Sequence, residues 1–142
     1  AGGQGTQMGL TVTSVVSVAL EPLVCAVFLR GGGLMDLRIP HDSRVGLALL
    51  GAHQTALARR FSGVGPDAYS FAGTPTHLLP HNILAPDGTA AEMTAVVDDR
   101  LCIHGRTMLV IRIADFSSVD ASSMLYRQNG AYVSLDGSVV RP

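Results

Sequence analysis

The 142-residue sequence has no tryptophan and no lysine, so all ten of its basic residues are arginine. Charged residues make up only 15 % and the formal net charge is −1, which leaves no basic footprint for a nucleic acid or for an electrostatically held membrane. With 5 % aromatics, there are no arginine clusters interleaved with rings on which bases stack. No apolar run approaches the roughly 20 residues of a membrane span. Residues 10–30 come nearest, and Thr11, Thr13, Ser14, Ser17, Glu21 and Pro22 interrupt them. No basic segment leads into an apolar stretch with a cleavage site, so the expected location is cytoplasmic.

The two cysteines, Cys25 and Cys102, sit in apolar strand-like runs without CxxC spacing. They read as small buried hydrophobes in a reducing compartment. His77 and His81 are four apart, but Pro80 argues against a helix that would aim both at one metal, and no carboxylate stands close by in sequence. No metal site is expected. There is no G-x-S-x-G elbow, and neither cysteine has an electropositive setting. The paired carboxylates Asp98-Asp99 are adjacent, and would point apart on a strand or solvate a turn.

Against these absences stands a hydrophobic content of 47 % with 16 glycines. The length fits one domain, residues 1–142, with no room for a second core. Low charge with abundant aliphatic residues suggests that a second subunit covers part of the surface. A sizeable core with little acid–base machinery suits a scaffold holding a cofactor that carries the chemistry.

The stretch Gly9 to Pro22 organises the chain. With period 2, Leu10, Val12, Val16, Val18 and Leu20 share one aliphatic side, as a barrel interior would want. Thr11, Thr13, Val15, Ser17 and Ala19 share the other, where small, mostly hydroxyl-bearing side chains would let a flat ligand approach the backbone. A half-buried strand with a Thr-rich solvent face fits the same pattern.

The pattern predicts a strand over Gly9–Thr13, a corner over Ser14–Ser17, and a central strand over Leu23–Leu29 that is stopped by Arg30 and three glycines. A helical turn follows over Leu34–Ile39, then a strand over Val45–Leu50. Gly51–Phe61 is the clearest helix, with Arg59 and Arg60 in its last turn, where cations suit the dipole. Residues 62–86 read as loop anchored by Tyr69 and Phe71. A strand is expected over Ala90–Val97, a turn at Asp98-Asp99 and a long strand within Leu101–Phe116. Ser117–Ser123 reads as a polar turn, and Leu125–Leu135 as a hairpin or final strand turning at Asn129-Gly130. Strands do not alternate with helices, which favours a mainly β barrel with a helical insertion over a doubly wound sheet. Gly3-Gln4-Gly5 has no strand before it and no third glycine in place, so it is no dinucleotide-binding turn.

Three segments carry a resemblance. Gly9-Leu-Thr-Val-Thr-Ser-Val-Val-Ser-Val-Ala-Leu-Glu-Pro22, Gln54-Thr-Ala-Leu-Ala-Arg-Arg-Phe-Ser-Gly63 and Leu125-Tyr-Arg-Gln-Asn-Gly-Ala-Tyr132 resemble, in order and spacing, signatures of the flavin reductase-like, FMN-binding split-barrel family. That family includes reductase components of two-component flavin-dependent monooxygenases. The resemblance implies a Greek-key split β-barrel with one or two short helices, of which an N-terminal helix and strand are absent here. It also implies a homodimer that binds FMN or FAD near its interface and takes NADH or NADPH as co-substrate.

Carried over by position, Thr11, Val12, Thr13 and Ser14 would line the isoalloxazine, and Ser17 and Val18 would meet its pyrimidine edge. Phe28, Leu29, Arg30 and Gly31 would meet the ribityl and phosphate side. Ala58, Arg59, Arg60 and Phe61 would complete the phosphate site, with Tyr126 from the closing strand. Where the family often has Gly-Asp-His, a triplet whose histidine helps to place the nicotinamide, this sequence has His104-Gly105-Arg106. On one strand, His104 and Arg106 would share a face, and the resemblance assigns the catalytic position to them.

The implied function is hydride transfer from NAD(P)H to flavin, with reduced flavin released to a partner monooxygenase. Arg106 in place of histidine favours an alternative, a flavin-binding accessory protein without reductase activity. A flavoenzyme acting on a small organic substrate shares the fold.

Overall fold

The computed structural model describes residues 7–118, 125–128 and 131–134. The protein is mainly β. Its main sheet has five antiparallel strands in the order β1 (Val15–Leu20), β2 (Leu23–Arg30), β7 (Arg106–Ser118), β6 (Ala91–Ile103) and β3 (Arg44–Leu49). Two hairpins, β4 (Thr76–Leu79) with β5 (Ile83–Pro86) and β8 (Leu125–Gln128) with β9 (Ala131–Ser134), form separate two-stranded sheets. The helices are short: α1 (Leu34–Arg38) and α2 (Thr55–Arg60).

The core lies on one face of the main sheet. Val27 and Leu29 of β2, Leu109 and Ile111 of β7, and Ala95 and Val97 of β6 are buried together, and Leu10, Val12, Val45 and Leu47 pack against them. Period 2 puts every second residue of β2 and β7 on this face, and their antiparallel register brings those rows into contact.

Gly9–Thr13 is not a strand. Its backbone is held by loop and helix groups: the Gly9 N–H donates to the Tyr69 carbonyl at 2.9 Å and the Thr11 N–H to the Phe61 carbonyl at 2.8 Å. The first strand of the main sheet is instead β1, over the expected corner. Its register shifts between Ser17 and Ala19, and a bulge of that kind breaks period-2 counting. Leu10 and Val12 do reach the core, but Val16, Val18 and Leu20 are 54 %, 59 % and 78 % exposed. The single aliphatic face expected of this stretch is thus split between core and surface.

Other differences have local causes. The helix begins four residues later than Gly51, because the Gln54 side chain accepts the Gly51 N–H at 2.8 Å and holds 51–54 as a turn. The expected loop over 62–86 contains the β4–β5 hairpin. Asp98-Asp99 is not a turn: β6 continues through it with bulges, and Asp98 pairs with Arg112 at 2.9 Å. The reversal comes at His104-Gly105, both with positive φ (46° and 72°), and the long strand expected within Leu101–Phe116 is β7, which starts after that turn at Arg106. Cys25 is half-buried and Cys102 exposed, since Cys102 sits near the projecting end of the β6–β7 hairpin. The Asn129-Gly130 turn and most of Ser117–Ser123 lie outside the described residues.

Candidate functional site

A cavity of about 1760 Å³ opens on the core face of the sheet. Its lining includes Thr11, Val12, Thr13, Leu29, Ala58 and Phe61 of the expected flavin site, together with Tyr132. Phe61 and Phe71 stack at a tilted 4.8 Å between ring centroids. Gly9 passes so close to both rings that a Cβ there would lie 2.9 Å from Phe61. This packing presses residues 9–12 against the end of α2.

The hydroxyl run is divided. The Thr11 hydroxyl donates to the Ala58 carbonyl at 2.8 Å and so closes the end of α2 rather than facing a ligand. Thr13, Ser14 and Ser17 are exposed. The Ser14 carbonyl accepts the Phe28 N–H at 3.1 Å, so residues 12–14 run beside the end of β2. The N–H groups of Val12, Thr13 and Ser14 have no acceptor among the described residues. Three adjacent open donors suit the acceptor-rich edge of a flat heterocycle. Val18 is the residue at which the β1 register shifts, between Ser17 and Ala19, and it is exposed.

At the end of α2, Arg59 stands over the Tyr132 ring, 6.0 Å from its centroid. An Arg60 Nη2 N–H donates to the Ala72 carbonyl, while its Nε is buried without a partner among the described residues. Burying a donor unpaired is costly, and an anion at this point would satisfy it. The flavin phosphate therefore fits the donors present. Tyr126 lies on β8, its side chain outside the described residues.

A second group of expected site residues lies at the end of the main sheet. Phe28 is half-buried, and Arg30 and Arg106 are exposed. Arg30 pairs in register with Arg106, and the Gly31 N–H donates to the Gly105 carbonyl at 3.1 Å. A Cβ on Gly31 would lie 2.6 Å from that oxygen, so only glycine allows this close approach. His104 does not share a strand face with Arg106 as expected, because it sits in the tight turn. Its ring cannot take the place of a strand histidine by standing two residues away on the same face.

On the core side of this end, Arg100 donates to Asp36 at 2.7 Å and to the Asp36 carbonyl at 3.0 Å, and also to the Ile39 carbonyl. The Gly32 N–H reaches the other Asp36 oxygen at 2.8 Å. Burial pushes the Asp36 pKa up, but the Gly32 N–H, Thr107 and Arg100 together outweigh it and hold the carboxyl below its usual value. Asp36 and Arg100 are 64 residues apart, and no spacing rule joins them.

Nor is His77 without carboxylates. Its Nδ1 lies 2.8 Å from Asp87 and its Nε2 2.9 Å from the nearly buried Glu92. The β4–β5 hairpin makes this contact by returning the chain past His77. Both ring nitrogens of His77 are thus taken by carboxylates, and no group of three such side chains among the described residues is placed to hold a metal ion. No helix among them is long and apolar enough to cross a membrane.

The chain matches the model of the flavin reductase like domain over residues 1–136. Its fold is similar to solved structures at low sequence identity. The Streptomyces globisporus C-1027 NADH:FAD oxidoreductase SgcE6 is 18 % identical, with a TM-score of 0.82 over 92 % of this chain and 80 % of that one. BorF, the flavin reductase component of a bacterial two-component tryptophan halogenase, is 18 % identical, with a TM-score of 0.83 over 95 % and 86 %. The styrene monooxygenase flavin reductase of Pseudomonas putida S12 is 22 % identical, with a TM-score of 0.72 over 88 % and 79 %. With the match running over nearly the whole chain and the barrel shared with these reductases, the protein belongs to the flavin reductase-like domain family.

Proposed function

We propose that the protein is an NAD(P)H-dependent flavin reductase, cytoplasmic and built as a single domain, that delivers reduced FMN or FAD to a partner monooxygenase. The observation that carries this is the run of open N–H groups at Val12, Thr13 and Ser14, set between the cavity and the end of β2. When bound, the flavin supplies the hydride acceptor and the nicotinamide the hydride.

The chain's own residues bind and orient. Backbone N–H groups of 12–14 meet the polar edge of the ring, where negative charge gathers on reduction. Ser17 and Val18 extend that contact along β1. Phe28, Leu29, Arg30 and Gly31 border the ribityl chain, and Ala58, Arg59, Arg60 and Phe61 the phosphate, with the unpaired Arg60 Nε as an available donor. Arg106, at the position where the family's histidine meets the nicotinamide, would stand on the nicotinamide side, with His104 in the turn before it.

The exposed Val16, Val18 and Leu20 on edge strand β1 support a homodimer. An apolar strip on an unpaired edge invites a second chain. Arg106 where a histidine would be expected favours a second reading, a flavin-binding accessory protein without reductase activity.

The test is loss of NADH or NADPH absorbance with catalytic protein and excess FMN or FAD in air. Flavin-dependent turnover supports the reductase and names both nucleotides. No turnover, with flavin binding still visible by fluorescence quenching, leaves the accessory reading.

A further inference from the structure

The β4–β5 hairpin shares no strand with the main sheet. His77 on β4 joins the two, with its Nε2 2.9 Å from Glu92 of β6 and its Nδ1 2.8 Å from Asp87 in the turn after β5. Ionised carboxylates only accept hydrogen bonds. A ring that bonds both must donate from both nitrogens, and only the imidazolium does so. Neutral imidazole has one N–H. On losing its proton the ring keeps one carboxylate and turns a lone pair to the other.

The Asp87 end of this clasp leads into the candidate site. The Gln54 side chain donates to the Asp87 carbonyl at 2.7 Å and accepts the Gly51 N–H at 2.8 Å. Gln54 also begins α2, since its own carbonyl accepts the Ala58 N–H at 3.0 Å. The Ala58 carbonyl in turn accepts the Thr11 hydroxyl at 2.8 Å. A continuous series of hydrogen bonds thus runs from His77 through Asp87, Gln54 and Ala58 to Thr11. It ends beside the open N–H groups of 12–14 and in the turn of α2 that carries Arg60. Gln54 and Ala58 are both buried, and a close-packed interior transmits a displacement instead of absorbing it.

The charged groups that face His77 are Asp87 and Glu92. Its register partner on β5 is Ala85, and Glu92 is in register with Ala48 of β3 and Ser117 of β7. A further titratable side chain at this corner is the exposed His53, whose ring packs against Gly88 of the same turn.

We propose that His77 is a positioning residue of the ligand site. Bonded at once to Glu92 and Asp87, it fixes α2 against residues 11–14 through Gln54, so that ligand affinity follows the protonation of this ring. Asp87 first, then Glu92, raises the His77 pKa against the opposing effect of burial. The doubly bonded state therefore persists above the usual value near 6.5 and is lost as pH rises through the folded one. Only the choice of FMN as the probe rests on the flavin reductase reading; the relay rests on the hydrogen bonds.

The test measures FMN affinity by fluorescence quenching between about pH 6 and pH 9, a range that brackets a raised histidine. Wild type is compared with His77→Arg, a cation that does not titrate there, and the ratio of the two cancels the titration of the FMN phosphate. The two proteins should agree at the acid end. Toward the alkaline end wild type should weaken by roughly 3- to 10-fold relative to His77→Arg, the effect of losing one hydrogen bond. His77→Gln should bind at the weaker level throughout, with a constant ratio. Asp87→Asn gives the ring a partner that both accepts and donates, and should remove the pH dependence. It also serves as the reference if the larger arginine does not fold. His53→Gln should keep the dependence.

Hydrogen exchange of the Ala58 and Phe61 amides, corrected for intrinsic rate, follows α2 without any ligand. Their protection in wild type should fall with rising pH and stay level in His77→Arg. If wild type binds FMN with a ratio that is level from acid to alkaline pH, or if the dependence survives in His77→Gln, the role of His77 is overturned. A wild type that binds no FMN at any pH removes the flavin reading. The exchange of α2 then decides the relay by itself, and level protection overturns it.

Discussion

His77 Nε2 lies 2.9 Å from a carboxylate oxygen of Glu92, whose side chain is 9 % exposed. The other Glu92 oxygen accepts the Thr89 hydroxyl at 2.6 Å, and His77 Nδ1 faces Asp87 at 2.8 Å. This imidazole fastens the β4–β5 hairpin to the start of β6, between two sheets that share no strand.

Both carboxylates, Asp87 first and then Glu92, raise the His77 pKa above its usual value, against the opposing effect of burial. A raised folded-state pKa contributes stability that is complete below the unfolded value, near 6.5, and is lost as pH rises through the folded value. The stability advantage of wild type over His77→Gln should therefore be largest at pH 5.5–6 (roughly, from that reference value) and shrink toward alkaline pH. Melting curves of the two proteins that run parallel from acid to alkaline pH would remove the clasp.

Asp36 and Arg100 tie α1 to β6 across 64 residues of sequence. Replacing Arg100 with Met leaves a buried carboxylate with only the Gly32 and Thr107 contacts, and should cost about 2–4 kcal/mol. Urea denaturation measures this. The lowered Asp36 pKa has the opposite pH sense to His77: its contribution is present above the unfolded value, near 3.9, and falls away as pH drops through the folded one. Asp36→Asn should flatten the acid limb of the stability profile, and an unchanged acid limb would refute the assignment.

Arg60→Ala should weaken flavin binding by about tenfold, the effect of losing one charge-assisted contact. Fluorescence quenching reads the affinity. If FMN binds Arg60→Ala as tightly as wild type, the phosphate does not sit at the end of α2. Riboflavin serves as the control, because it should lose little.

Gly31→Ala places a methyl 2.6 Å from the Gly105 carbonyl. Backbone at both strand ends must move, at a cost of about 1–3 kcal/mol. A melting temperature within a degree of wild type would show that the β6–β7 turn yields freely.

Val18→Asp puts a charge in the exposed strip of β1, where Val18 is 59 % exposed. Sedimentation should give a dimer mass for wild type at micromolar concentration and a monomer for the variant. A wild type that is already monomeric would refute the second subunit. The variant's own fold should be little affected, because this strip contributes nothing to the buried core.

The sequence alone determined the class of fold and the positions of its most regular parts. Leu23–Leu29 is apolar on both faces and became the central β2; Leu34–Ile39 made its helical turn; Leu125–Leu135 made its hairpin strands. Three motifs in order pointed to the family. These features are local, carried by composition and periodicity within ten or so residues.

What tertiary structure alone decided was which groups meet. Residues 9–13 bonded to loop and helix groups instead of joining β1, and β1 itself carries a register shift at Ser17/Ala19, so Leu10 and Val12 went to the core while Val16, Val18 and Leu20 stayed exposed; bulges leave no mark on period-2 counting. Two bulges carried β6 past Asp98-Asp99, and the true reversal at His104 removed that ring from the strand face it was expected to share. Arg30 and Arg106 became neighbours, His77 found Asp87 and Glu92, and Thr11 gave its hydroxyl to Ala58. Each of these meetings is set by the pairing of segments distant in sequence, and register is fixed by burial of the whole face rather than by any short stretch of it.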